Sequence, residues 1–202
     1  MKKILPILLA LLLCASLVLP ALAEENFSEY FSLCGTNVQR LYQTEKPVTI
    51  TAGFAGTLQN YGLRCYHSVT VAENVSLSMR DIRTSDGATL RINSGATVSA
   101  KELFVGDRTN VIVYGKLILP EATGSWCCGT IEVCEGGMLK IPYNEENTAN
   151  IDSGKVQGTI EIKTEGGKDY YIVTAPATSG SVLSGGSIAI IVGVSVLAAA
   201  AV

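Results

Sequence analysis

The chain has 202 residues, 48% of them hydrophobic and 16% charged, with a formal net charge of −3. That length holds one domain, and an acidic balance with no clustered basic run excludes a nucleic-acid binder, which must neutralise phosphates. The apolar excess is concentrated at the two ends.

Met1-Lys2-Lys3 is a basic start, Ile4 to Leu19 an apolar run, and Ala21-Leu22-Ala23 a small-x-small cleavage site. Together they predict a secretory signal peptide over 1–23 and an exported mature chain. Cys14 follows Leu13, where a lipoprotein signal needs a small residue, so lipidation is not expected. Removal of 1–23 leaves 13 basic against 18 acidic residues, a net −5.

Over 24–46 the pattern is helical. Phe27, Tyr30, Phe31, Cys34, Val38 and Leu41 fall near three-to-four spacing, interrupted by Gly35, which predicts a broken amphipathic helix. Its expected role is to cap the first coil of the repeat region, because an open end of stacked strands is a template for aggregation.

From 47 to 173 an apolar-x-apolar dyad returns about every 21 residues. The dyads are Val48 and Ile50, Val69 and Val71, Leu90 and Ile92, Val111 and Val113, and Ile131 and Val133. A second column runs Leu77, Val98, Leu119, Leu139, and between the columns sit residues that tolerate a left-handed backbone: Gly53, Asn74, Gly95, Gly136, with Gly115 one place early. A weaker third strand carries Ile82 and Thr84, then Leu103 and Val105. Alternate side chains point to opposite faces, so Thr49, Thr70, Arg91, Ile112 and Glu132 form an outward, mostly polar column. The next clear dyad is Ile160 and Ile162, with a polar loop at 143–157 as the surplus.

Three short strands per repeat with Gly and Asn at the turns resembles the right-handed parallel β-helix of the pectate-lyase-like family. The expected fold is therefore all-β: a short right-handed β-solenoid of about six coils, with an N-terminal helical cap and a C-terminal hydrophobic helix. Leucine-rich repeats have a similar length but need an Asn column, and only Asn74 fits one. Enzymes of the resembled family carry acids, or a basic residue with calcium ligands, on the outer face of successive coils. Here Asp81 and Glu102 align one repeat apart beside Arg80 and Lys101, which reads as charge pairing, so no catalytic residue carries over.

Five cysteines remain in the mature chain: Cys34, Cys65, Cys127, Cys128 and Cys134. Export permits disulfides, and the odd number leaves one thiol over. Cys65 and Cys127 lie three repeats apart, about 14 Å, too far to bond. Cys34 with Cys65, and Cys127 or Cys128 with Cys134, remain the candidate pairs. No C-x-x-C pair marks a metal site, and no cofactor is expected. His67 is the one histidine and has no nucleophile linked to it by spacing. Candidate ligand-binding residues are Trp126, Tyr143, Glu145, Glu146 and Asp152: aromatics that stack on sugars, and loop acids suited to calcium or to sugar chemistry. Tyr61, Tyr66, Tyr114, Tyr170 and Tyr171 share the first property but serve equally to shield a core edge.

The segment 174–186 is rich in Pro, Ser, Thr and Gly and reads as a flexible stalk; 187–202 is uncharged and reads as a transmembrane anchor that stops before its basic flank. Two alternatives stay open for this tail. One is a glycolipid signal with small residues Ser179, Gly180 and Ser181, in line with glycan acceptors at Asn26 and Asn74; the other is a buried helix of a larger assembly. The function expected is a non-enzymatic structural or adhesion protein held at the cell membrane with its domain outside, and with a glycan or another cell-surface protein as partner. A carbohydrate-active enzyme on acidic polysaccharide, and a fragment of a larger adhesin, are the alternatives.

Overall fold

The computed structural model describes residues 26–34, 40–85, 87–121 and 128–176. The expected signal peptide, most of the expected stalk and the expected anchor lie outside those residues. Among the described residues no helix is long and apolar enough to cross a membrane.

The chain opens with one helical turn, α1 (Phe27–Tyr30), then β1 (Phe31–Cys34) and β2 (Leu41–Thr44). After β3 (Val48–Ile50) come α2 (Ala52–Leu58) and β4 (Gly62–Cys65). Strands then run in pairs: β5 (Val69–Val71) and β6 (Ser76–Thr84), β7 (Thr89–Ile92) and β8 (Thr97–Val105), β9 (Asn110–Val113) and β10 (Lys116–Ile118), β11 (Thr130–Val133) and β12 (Met138–Pro142). The described chain closes with α3 (Glu145–Asp152), β13 (Val156–Gln157) and a hairpin of β14 (Thr159–Glu165) and β15 (Lys168–Thr174).

These strands make two sheets. The six-stranded sheet, in the order β13-β11-β9-β7-β5-β3, is parallel throughout, and its register joins Val48 to Val69, Leu90, Val111, Ile131 and Val156 in turn. The dyads read from the sequence are therefore stacked neighbours, each buried, with Thr49, Thr70, Arg91, Ile112 and Glu132 in one outward column. The nine-stranded sheet runs β1-β2-β4-β6-β8-β10-β12-β15-β14 and is mixed: parallel from β2 to β12, antiparallel at both ends. One apolar core serves both sheets. Branched residues dominate it because two substituents on Cβ fit a pleated, buried surface.

The weak third strand is not separate. In β6 the inward positions are Leu77 and Met79, then Ile82 and Thr84; in β8 they are Val98 and Ala100, then Leu103 and Val105. The step of three, and the gap in register at Arg80 and Lys101, mark a corner inside one continuous strand. The first half of β8 pairs with β10, and the second half of β6 pairs with β4.

The turns from the six-stranded to the nine-stranded sheet close through backbone bonds: Val75 N–H to Ala72 O, Ala96 N–H to Asn93 O, and Gly137 N–H to Cys134 O. Asn74, Gly95 and Gly136 sit third in these turns with φ of 60°, 73° and 79°, as their residue types predict. Two neighbours in that series behave otherwise. Gly53 lies inside α2, and Gly115 is needed for space, since a Cβ there would come within 2.4 Å of the Ala96 and Asn93 carbonyl oxygens. The turn at Gly115 is two residues shorter than the others, so Leu117, not Leu119, stacks between Val98 and Leu139.

Three segments depart from expectation. In the described part of 24–46 there is one helical turn and the antiparallel pair β1–β2, with Phe31 buried in the core and Ser32 opposite Gln43. Phe27, Tyr30 and Phe31 converge on Phe54 of α2, with ring centroids 5.6 to 5.8 Å away, and Tyr42 packs edge-on against Phe27, so an aromatic cluster covers the N-terminal end of the core. The polar loop at 143–157 contains the eight-residue α3. The dyad Ile160 and Ile162 does not extend the parallel ladder, because Gly166 and Gly167, both at positive φ, fold β14 back on β15, and Val156 of β13 takes the ladder position instead.

Candidate functional site

At the C-terminal end, Asn144 caps α3: its side-chain oxygen accepts from the Asn147 amide at 2.7 Å. Glu145 and Glu146 come next in the first turn, where the helix dipole favours acids. Thr148 Oγ1 lies 2.7 Å from the Tyr171 hydroxyl, and the Tyr143 and Tyr171 rings are 5.0 Å apart, which ties the helix to β15. Burial raises the Tyr171 phenol above its ordinary pKa, and the hydrogen bond with Thr148 opposes that shift. Asn147 is fully buried and donates to the Pro142 carbonyl at 2.9 Å.

The acids chosen from sequence share this helix but do not converge. Asp152 is seven residues past Glu145, about 10 Å along the axis, and adjacent residues such as Glu145 and Glu146 point in different directions. Among the described residues no group of three or more His, Cys, Asp or Glu is placed to hold a metal ion. Tyr143 is 49% exposed and available to a ligand; Trp126 lies outside the described residues. Three other tyrosines have ring partners. Arg91 sits over Tyr114 at 4.4 Å, Lys140 over Tyr170 at 4.3 Å, and Tyr61 packs edge-on against Tyr42 at 5.6 Å.

The four described cysteines, Cys34, Cys65, Cys128 and Cys134, are free thiols, and Cys127 lies outside the described residues. Cys34 cannot reach Cys65: β2 lies between their strands, so the sheet alone separates them by about 9.6 Å, beyond the 6.8 Å or so that a disulfide tolerates. Cys128 and Cys134 flank β11, whose extended length is itself about 10 Å, which excludes that pair. Cys65 is fully buried, and desolvation pushes its pKa up to about 12.

His67 is exposed and gives its backbone amide to Thr44 Oγ1 at 3.0 Å. Nearby, Glu45 accepts from Ser32 Oγ and Gln43 Nε2, and these bonds, with a smaller contribution from His67, hold its carboxyl below the usual range. The Asp81 and Glu102 pair is adjacent in register, and Arg80 Nε binds Asp81 Oδ1 at 2.6 Å; Lys101 reaches Glu121 at 4.0 Å instead.

A surface that sequence reasoning passed over lies on the outer face of β1, β2, β4, β6 and β8. Register places Ser32, Gln43, Arg64, Arg83 and Phe104 in one column, opposite the inward Leu63 and Cys65, Ile82 and Thr84, and Leu103 and Val105. Arg64 is half-buried, Arg83 is exposed, and Phe104 is 40% exposed. Part of the signal was readable: Arg83 and Phe104 lie between Ile82 and Thr84 and between Leu103 and Val105, whereas Arg64 joins them only through register.

No family model matches the chain, and no curated protein or solved structure matches it either.

Proposed function

We propose that the two ladders wind as one right-handed β-solenoid and that this module is an exported structural or adhesive protein, presenting a stiff face outside the cell membrane without catalysis. The observation that carries the reading is the register Val48–Val69–Leu90–Val111–Ile131–Val156, unbroken across six parallel strands, with a row of outward side chains at about 4.8 Å intervals. Parallel strands in one sheet need crossover connections, and such crossovers are right-handed in about 98% of cases, which supports the handedness. Stacked repeats that contact only their neighbours give a surface whose length scales with repeat number, the property a spacer or adhesin uses. Placement outside the membrane rests on the signal-peptide and anchor patterns of the sequence.

The test is expression of the full chain with an internal epitope in a bacterial host, then protease treatment of intact cells. Release of the epitope from intact cells is expected; its retention in the cytosolic fraction overturns the placement. Incubation of the same protein with acidic polysaccharides and calcium is expected to leave them intact. Release of unsaturated oligosaccharides overturns the non-catalytic part and favours the lyase alternative.

A further inference from the structure

We propose that Arg64, Arg83 and Phe104 form a binding surface for a sulfated polysaccharide. Arg64 and Arg83 are direct register partners on adjacent parallel strands and both face outward. Like charges opposite one another across a sheet repel, so this arrangement costs stability unless an anion joins it. Among the described residues neither guanidinium forms an ion pair with a carboxylate. The acids on the same face are Asp81, held by Arg80; Glu45, held by Ser32 and Gln43; and Glu102, beside Asp81 in register.

The chemistry of the ligand is set by the spacing and by what the face lacks. A planar carboxylate is satisfied by one guanidinium fork, whereas the three terminal oxygens of a sulfate ester accept from two guanidinia whose strands are about 4.8 Å apart. Phe104 continues the column one strand further on and offers an exposed ring to the C–H face of a sugar. The backbone cannot recruit a peptide by strand addition here, because β4, β6 and β8 are all paired on both sides. Recognition must therefore run through side chains alone, along the stacking direction, which suits a linear glycan. The net charge of the mature chain, −5, opposes polyanions over the rest of the surface, which favours this column. The inference gives the adhesive function its ligand class and rests on that reading; surface display tests the reading, and retention on a sulfated polymer tests the ligand.

The experiment measures binding of the full chain to immobilised dextran sulfate, with unsulfated dextran and polygalacturonate as parallel probes. Retention on dextran sulfate alone is expected. Arg83→Gln should weaken it by about tenfold, and Arg64→Gln with Arg83→Gln by more, since charge-assisted bonds to the anion are lost. Arg83→Lys should recover only part, because an ammonium lacks the fork, and Phe104→Ala should weaken binding by about threefold. Arg91→Gln, which removes one charge from the other sheet, should leave binding within about twofold of wild type. Equal retention on dextran, equal retention on polygalacturonate, no retention at all, or an Arg91→Gln loss as large as that of Arg83→Gln each overturns the proposal. If the double variant loses its far-ultraviolet β signal, the exposed Arg83→Gln decides the outcome alone.

Discussion

Cys65 gives the most direct reading of how dry the interior is. It is fully buried, has Thr84 as its register partner in β6, and desolvation moves its pKa from 9.0 to about 12. Below about pH 9 the thiol is protonated in both folded and unfolded chains and contributes nothing to pH dependence. Above it the unfolded chain releases the proton while the folded chain retains it. Each pH unit then costs about 1.4 kcal/mol of folding stability, and the whole window to pH 12 about 4 kcal/mol. The assay is urea unfolding between about pH 8 and about pH 10.5 for the wild type and Cys65→Ala, with the difference in slope as the readout. The variant should lose a pH-independent increment for the vacated volume, and between about pH 8 and about pH 10.5 it should decline by about 2 kcal/mol less than wild type. A thiol reagent applied to native protein should label the exposed Cys128 promptly and leave Cys65 untouched until unfolding. Identical alkaline slopes, or native labelling of Cys65 at the rate of Cys128, would refute a dry, desolvated thiol.

Other expected outcomes arise from single contacts. Phe54→Ala removes the ring on which Phe27, Tyr30 and Phe31 converge, and thermal unfolding should show a loss of about 3–5 kcal/mol. Gly115→Ala drives a Cβ against two carbonyl oxygens and should cost at least about 2 kcal/mol, whereas Gly56→Ala, in α2 with open space around it, should stabilise by about 0.5–1 kcal/mol; denaturant midpoints of the two variants should move in opposite directions. Asn144→Ala removes the cap of α3 and should cost about 1 kcal/mol, read as faster amide exchange of the Asn147 N–H together with a lower melting temperature.

The stacking of Val48 through Ile131 was legible because each dyad places two branched residues inward and the step between dyads barely varies. The second column was harder for a physical reason. Leu117 and Leu119 have the same parity, so alternation alone allows either to stack on Val98, and only the shortened turn at Gly115 selects Leu117. Parity also says nothing about strand direction, which is why Ile160 and Ile162 read as another parallel layer; the Gly166-Gly167 pair was the available signal for reversal. Helix α3 escaped notice because no apolar stripe defines it. It is held by the Asn144 cap and by buried Asn147 and Asn150, polar residues that composition assigns to a loop. The acids at 145, 146 and 152 lie on one helix, and their helical spacing keeps them from forming a shared site. The Arg64–Arg83 column required register, a property of strand pairing that a one-dimensional pattern expresses only after both partners are aligned.

Both margins of the larger sheet reverse direction, β1 against β2 at one and β14 against β15 at the other. A second molecule attempting to continue the parallel stack from either margin would meet a strand pointing the wrong way, and at β14 it would also meet Glu161, Lys163 and Glu165 in alternate positions. Charged residues on an outermost strand oppose further pairing. The larger sheet therefore resists continuation by another copy at both margins, whereas the smaller one ends on β3 and β13, strands that run with the stack and are paired on one side only.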